Sequence, residues 1–157
     1  MKIKITEMEN SGNIAEMKVS YIAKQKPSDR PQILNSLSSY EILKQCFNED
    51  TLNYSEEFVL LLLNYSNRVL GWIKISAGGL AGTVADVRII FACAIQTGAT
   101  RIVVAHNHLS GNLKPSQADI DLTKKIKEGG QLLEIQLLDH VILTDGSYFS
   151  FSDEGIL

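Results

Sequence analysis

The segment around residue 106 contains four side chains that could bind and use a metal ion. His106 and His108 flank Asn107, and seven residues separate His108 from Ser116, which precedes Asp119 by three positions. Imidazole nitrogens and carboxylate oxygens are ligands that Zn²⁺ takes in proteins, and a site with three protein ligands keeps a fourth position for water. A hydrolytic zinc ion needs that open position. The spacing therefore indicates a catalytic zinc site.

The predicted backbone would bring these side chains together. A β-branched strand is predicted over 101–105, directly before His106. Alternate side chains of an extended chain point to the same side, so the imidazoles of His106 and His108 could face one ion. Ser116 and Asp119 also form a Ser-x-x-Asp helix start, which requires no metal. For these two residues alone the helix cap is the better supported interpretation, and Asp119 could serve both purposes because its carboxylate has two oxygens.

The composition limits the function classes. The chain has 157 residues, of which 45% are hydrophobic and 21% charged, as expected for one globular domain. Its net charge of −3 argues against direct, nonspecific binding to nucleic acid, which normally requires a basic surface. No paired cysteine motif, membrane-spanning run or secretory signal is visible in the sequence. We therefore expect a cytoplasmic protein without a membrane partner.

The residue pattern predicts an N-terminal arm and linker over 1–30, with an edge strand over 15–23, and a single domain over 31–157. Strands and helices alternate in this domain, with hairpins at both ends, which predicts an α/β fold (an α+β mixed sheet) with helices packed on the sheet. The predicted elements are a helix capped at Ser38 and Ser39, strands over 58–63 and 69–75, a helix over 84–96, the strand over 101–105, a helix from 115 to 127 stopped by Gly129 and Gly130, one or two strands within 132–143, and a strand over 148–151 after an Asp145, Gly146 turn.

This pattern of segments resembles a known family. HNHLSGNLKPSQAD (106–119) is similar to the H-x-H-x(7)-S-x-x-D signature of the JAB/MPN zinc metalloproteases. Further segments of the sequence resemble the RadC branch of that family: GTVADVRIIFACA (82–94), RIVVAHNH (101–108), LTKKIKEGG (122–130), LLDHVIL (137–143) and SFSDEG (150–155). The resemblance covers residues from about 30 to 157. It implies the cytidine-deaminase-like, three-layer JAB/MPN arrangement of a mixed β-sheet flanked by helices.

The resemblance also implies a role for each residue of the signature. His106, His108 and Asp119 match the zinc ligands of the family, which implies one zinc ion per chain. Ser116 matches the serine that helps to stabilise the developing oxyanion. Relatives usually carry a proline where Leu109 stands, and that position is not expected to hold the metal.

The family uses an upstream glutamate, which is not a ligand, to move the proton of the attacking water. RadC-like chains place it two residues before a phenylalanine that begins an apolar strand, and the run Glu56, Glu57, Phe58 fits this pattern with Glu56 as the proton carrier. Glu57 would lie on the opposite face of the strand, so at most one of the two can face the ion. For Glu57 we favour an exposed carboxylate at the start of the strand.

The implied activity is zinc-dependent hydrolysis of a peptide or isopeptide bond in a peptide or protein substrate. Two alternatives belong to other classes: a protein-binding module without peptidase activity, and a DNA-repair or mobile-element accessory factor. Inactive family members typically lose a ligand that this chain retains, and the acidic balance argues against direct contact with DNA. His140 has two open interpretations, a hydrogen bond to a metal ligand and a satisfied core histidine, of which the second is favoured. The sequence leaves the oligomeric state open.

Overall fold

The computed structural model describes residues 20–23, 25–78 and 85–157. Over these ranges the chain forms a five-stranded mixed sheet with helices on both faces. The elements are a 3-10 turn (Pro27–Asp29), α1 (Ser36–Lys44), β1 (Glu57–Leu63), β2 (Val69–Ala77), α2 (Val87–Thr97), β3 (Arg101–Asn107), α3 (Gln117–Leu132), β4 (Gln136–Thr144) and β5 (Ser147–Ser150). This architecture confirms the predicted α/β class.

The strand that leads to the two histidines lies in the centre of the sheet. The strand order is β2-β1-β3-β4-β5, and β3 pairs antiparallel with β1 and parallel with β4. β1 is buried throughout, and β3 is buried from its second residue to its last. A strand that is covered on both faces needs apolar side chains on both, which explains the continuous apolar runs over 58–63 and 102–105.

Two apolar clusters, one on each face of the sheet, hold the helices. On one face Phe58 and Leu60 of β1 pack with residues of α2 and α3, and on the other Val59 and Leu61 pack with residues of α1. Alternate side chains of a strand point to opposite faces, so β1 contributes to both clusters. The result is three layers, helix on sheet on helix.

The end of α3 differs from the prediction. Gly129 and Gly130 were expected to stop the helix, but α3 continues past them, and Glu134 just beyond it has the left-handed conformation (φ 57°). A Cβ on Gly129 would lie 2.8 Å from the ring of Phe91, and one on Gly130 would lie 2.2 Å from the backbone oxygen of Ile135. The two glycines therefore permit close packing of α3 against Phe91 of α2 and against the backbone of Ile135, and their interpretation as a stop signal is wrong.

Two helix starts also differ. α1 is capped by Asn35, whose side chain accepts a hydrogen bond from the amide of Ser38, the predicted cap. α2 begins at Val87 because Asp86 caps it, accepting from the amide two residues further on. Side chains that accept from the first free amides of a helix define its start. The helix predicted over 84–96 therefore begins too early, because residues 85 and 86 precede α2.

Some predictions fall outside the described residues. The edge strand expected over 15–23 lies there except for 20–23, which form no strand. The division into an arm over 1–30 and a domain over 31–157 stays a prediction. Among the described residues, no helix combines the length and apolar character needed to cross a membrane.

The close packing of α3 can be tested by adding a methyl group. Gly130→Ala places a Cβ against the carbonyl of Ile135, a backbone atom that cannot rotate away. We expect the free energy of unfolding to fall by about 2 kcal/mol or more, because overpacking outweighs the gain in helix propensity. Denaturant unfolding measures the change. Lys125→Ala, at an exposed site of the same helix, is the control, with an expected change within about 0.5 kcal/mol. Equal stability of the two variants would contradict the packing argument.

Candidate metal centre

Three donor side chains converge at the C-terminal end of β3. His106 belongs to β3, His108 follows that strand, and Asp119 lies in the first turn of α3. The Nε2 atoms of the two histidines lie 2.9 Å apart. Asp119 Oδ1 lies 3.2 Å from His106 Nε2, and Asp119 Oδ2 lies 3.5 Å from His108 Nε2. Donor atoms of all three residues fall within 4.8 Å of one another, so one metal ion could contact them all.

The neighbouring strand and a short loop fix the two histidines. His106 lies opposite Ile142 of β4, and the amide of His108 donates to the carbonyl of Leu143 at 3.0 Å, which prolongs the parallel pairing by one residue. The chain then turns, and Nδ1 of His108 lies 2.6 Å from the carbonyl oxygen of Asn112. A carbonyl oxygen only accepts, so Nδ1 of His108 carries a proton, and in the neutral imidazole Nε2 keeps its lone pair.

Asp119 takes part in the helix cap and keeps one carboxylate oxygen beside His106. Ser116 is the N-cap of α3: its Oγ accepts from the amide of Asp119, and its own amide donates back to Asp119 Oδ2 at 2.7 Å. The hydroxyl of Ser116 also donates to Oδ2, at 2.6 Å. The capping box thus holds the carboxylate through Oδ2, and Oδ1 remains beside His106.

The three donors are electrostatically coupled. Burial opposes ionisation of Asp119, but hydrogen bonds with His106 and His108 in their protonated forms outweigh it and hold the pKa of this carboxyl far below its usual range. Hydrogen bonding to Asp119 raises the pKa of His108 against the effect of burial, and the negative charge of Glu56 adds to this rise. An ionised carboxylate beside two imidazoles is a donor set that fits a divalent cation such as zinc.

His140 lies behind the metal centre and contacts one of its donors. Its ring is fully buried, stacked on Phe151 at a centroid distance of 4.7 Å. Its Nε2 lies 2.9 Å from His106 Nδ1, and its Nδ1 lies 2.6 Å from Thr123 Oγ1. Burial holds the pKa of His140 well below its usual value. Both interpretations left open by the sequence therefore apply: the ring is a satisfied core group and a hydrogen-bond partner of His106.

The two glutamates before β1 differ in their surroundings. Glu57 is buried and accepts a hydrogen bond from Lys74 Nζ at 2.6 Å, which corrects the expectation of an exposed carboxylate. Its position in β1 puts it on the face of Val59, which is covered by α1. Glu56 is half-buried, and by the same alternation belongs to the face of Phe58, whose ring stacks with His106. The pairing of Glu57 with Lys74 leaves Glu56 as the candidate proton carrier.

Asn107 is a site residue that the sequence analysis missed. Asn107 is fully buried. It lies between the two histidines in the sequence, and its side chain points to the opposite face of the sheet. Its Nδ2 donates to the carbonyls of Leu52 and Ser55, at 2.6 and 2.9 Å, and its Oδ1 accepts from the amide of Glu57 at 2.7 Å. These three bonds fasten the segment that carries Glu56 to the strand that carries His106. A polar residue two positions beyond the predicted buried strand was the available signal.

The chain is similar to known proteins over most of its length. Residues 33–156 match the family model described as the RadC-like JAB domain. A UPF0758 protein of Flavobacterium johnsoniae is 52% identical over 101 residues, which are 64% of this chain and 44% of that protein. A UPF0758 protein of Aquifex aeolicus is 37% identical over 128 residues, which are 82% of this chain and 54% of that protein. The chain spans about half the length of the curated relatives it matches.

The role of Asn107 can be tested by its removal. Asn107→Ala leaves one buried amide and two carbonyls without their partner, at about 1–3 kcal/mol for each buried group. We expect the free energy of unfolding to fall by about 3 kcal/mol or more. Asn107→Asp should be destabilising as well, since its second oxygen would face two carbonyl oxygens. Asn53→Ala, at an exposed site of the same segment, should change stability by no more than about 0.5 kcal/mol. Denaturant unfolding that ranks Asn107→Ala with Asn53→Ala would contradict the role.

Proposed function

The chain belongs to the RadC-like JAB domain family, and from this membership we propose that it is a zinc-dependent metallohydrolase that cleaves a peptide or isopeptide bond. The observation that carries the proposal is the convergence of His106, His108 and Asp119 within 4.8 Å. JAB domains often have metallohydrolase activity, and this chain retains every donor of the signature. That retention favours hydrolysis over a role as a binding module or a DNA-repair accessory factor.

The donor set supports zinc as the metal. Two imidazole nitrogens and one carboxylate oxygen form a mixed nitrogen and oxygen set with three protein ligands, which is typical of catalytic zinc. A zinc ion held by these residues would act as a Lewis acid and lower the pKa of a water molecule towards about 7. His106, His108 and Asp119 would hold the ion.

Glu56 is proposed to accept the proton of the attacking water and to pass it to the leaving amine. The support is its position two residues before Phe58, on the face of His106, and its electrostatic influence on His108. A positioned carboxylate of this kind typically contributes about 10²–10⁴-fold to rate. Asn107 would hold the backbone beside Glu56 while the proton moves.

Ser116 is proposed to stabilise the developing oxyanion of the scissile carbonyl. Its hydroxyl donates to Asp119, so it lies next to the metal centre and must rotate to donate to substrate. A single donor of this kind is worth about 3–4 kcal/mol in known hydrolases. The substrate, we infer, is a peptide or protein of the cytoplasm, and contact with DNA plays no part in catalysis.

The metal assignment predicts a specific loss of zinc. Wild-type protein prepared without chelator should hold close to one equivalent of zinc by elemental analysis. His106→Ala and Asp119→Asn should each weaken zinc binding by more than about 100-fold in competition with a chelator, since each removes a ligand rather than an outer partner. Asp121→Asn is the matched control: the same substitution at an exposed residue of the same helix, which should bind zinc as wild type does. Wild-type protein that binds no zinc would refute the proposal.

If Glu56 carries the proton, its substitution should abolish cleavage without loss of zinc binding. Glu56→Gln should keep its zinc and lose about 100-fold or more of the cleavage rate, because an amide cannot accept the proton. Glu57→Gln should keep zinc and most of the rate, although it loses the ion pair with Lys74. The assay incubates each zinc-loaded variant with a defined peptide library and follows the fragments by mass spectrometry. Cleavage by Glu56→Gln at the wild-type rate would show that another residue moves the proton.

A further inference from the structure

A buried chain of hydrogen bonds connects the metal centre to the backbone of α3. His106 Nδ1 lies 2.9 Å from His140 Nε2, and His140 Nδ1 lies 2.6 Å from Thr123 Oγ1. Thr123 Oγ1 donates to the carbonyl of Asp119 at 2.6 Å. His106, His140 and Thr123 are 5%, 0% and 2% exposed, respectively. The chain thus begins and ends at residues of the metal centre and passes through three elements, β3, β4 and α3.

The donor and acceptor in each hydrogen bond follow from one end of the chain, the carbonyl oxygen of Asp119, which can only accept. The carbonyl oxygen of Asp119 has no proton, so the single proton of the Thr123 hydroxyl lies between these two oxygens. Thr123 Oγ1 is then the acceptor for His140, whose Nδ1 must be the protonated nitrogen. A neutral imidazole has one N–H, so Nε2 of His140 is an acceptor and Nδ1 of His106 is the donor to it.

This order leaves the lone pair of His106 where a metal ion needs it. In the neutral ring the single proton is on Nδ1, so Nε2 of His106 is bare and faces His108 Nε2 and Asp119 Oδ1. In the other tautomer a proton would occupy the nitrogen that faces the other donors, and that proton would have to leave before a metal ion could bind. The tautomer of a histidine is set by the hydrogen bond that its second nitrogen makes.

We propose that Thr123 and His140 are positioning residues that hold His106 in the tautomer with a free Nε2 and so prepare the site for a metal ion. Neither residue touches the ion or the substrate. Thr123 sets the donor and acceptor roles along the chain of hydrogen bonds. Its hydroxyl must donate to the backbone carbonyl of Asp119 and can therefore only accept from His140. The proposal rests on the metal site of the proposed function, but its central statement concerns the metal-free protein.

The sharpest test removes one oxygen atom at a distance from the ligands. Thr123→Val keeps the shape of the side chain and removes the acceptor for His140, which can then carry its proton on Nε2 and donate to His106. Thr123→Ser restores the hydroxyl. The matched control is Thr97→Val, because Thr97 in α2 also donates its hydroxyl to the carbonyl four residues earlier, at 3.0 Å, away from the metal centre.

The first measurement uses metal-free protein. Long-range ¹H–¹⁵N correlation spectra report which nitrogen of an imidazole is protonated, and the chain has only three histidines to assign. We expect the Nδ1–H form for His106 in wild type, Thr123→Ser and Thr97→Val, and a shift towards the Nε2–H form in Thr123→Val. An Nε2–H form of His106 in the wild-type protein overturns the proposal without any variant having to fold.

The second measurement is zinc affinity in competition with a chelator. Loss of an outer hydrogen-bond partner typically weakens a metal site by about 10–100-fold. We expect that loss in Thr123→Val, recovery in Thr123→Ser, and wild-type affinity in Thr97→Val. Equal affinity of Thr123→Val and wild type, or an equal loss in both valine variants, overturns the proposal. Failure of wild type to bind zinc would instead overturn the proposed function, and the spectra of metal-free protein would still decide the positioning role.

Discussion

Two polar side chains are buried at the end of an otherwise apolar central strand, and the surrounding elements supply their partners. His106 is 5% exposed and Asn107 is fully buried. Burying a polar group without a hydrogen bond costs several kcal/mol, so the surrounding elements must provide hydrogen-bond partners for both residues. His106 is satisfied from β4 and α3, and Asn107 from the segment before β1. The candidate metal centre lies where these partners come together.

The alternation of the strand divides the work between the two faces of the sheet. His106 points to the face covered by α2 and α3, where Asp119 and His140 complete a polar cluster. Asn107 points to the face covered by α1 and there fastens the backbone of 52–57. One strand end therefore fixes both the side chains that could hold a metal ion and the segment that carries Glu56. Neither arrangement could shift alone, because a change of register would exchange the two faces.

α3 reaches the site because it can pack closely at its far end. Gly130 lets the helix approach the backbone of Ile135, and Phe91 of α2 lies against Gly129. At the near end Ser116 caps the helix and orients the carboxylate of Asp119. The same residue thus starts the helix and aims a donor, which explains why a capping pattern and a metal-site pattern coincide in this sequence.

The sequence by itself determined the α/β class, the apolar strands and which three side chains converge at the end of β3, because these depend on side-chain period and on short spacings along the chain. It could not determine the roles of Gly130, Asn107 or Thr123, since each acts on a group that is distant in sequence or belongs to a backbone whose path was unknown. The hydroxyl of Thr123 meets His140 17 residues away, and the amide of Asn107 meets Ser55 52 residues away. Only the tertiary structure decides such contacts, because burial leaves a polar atom no partner except the one that folding brings to it.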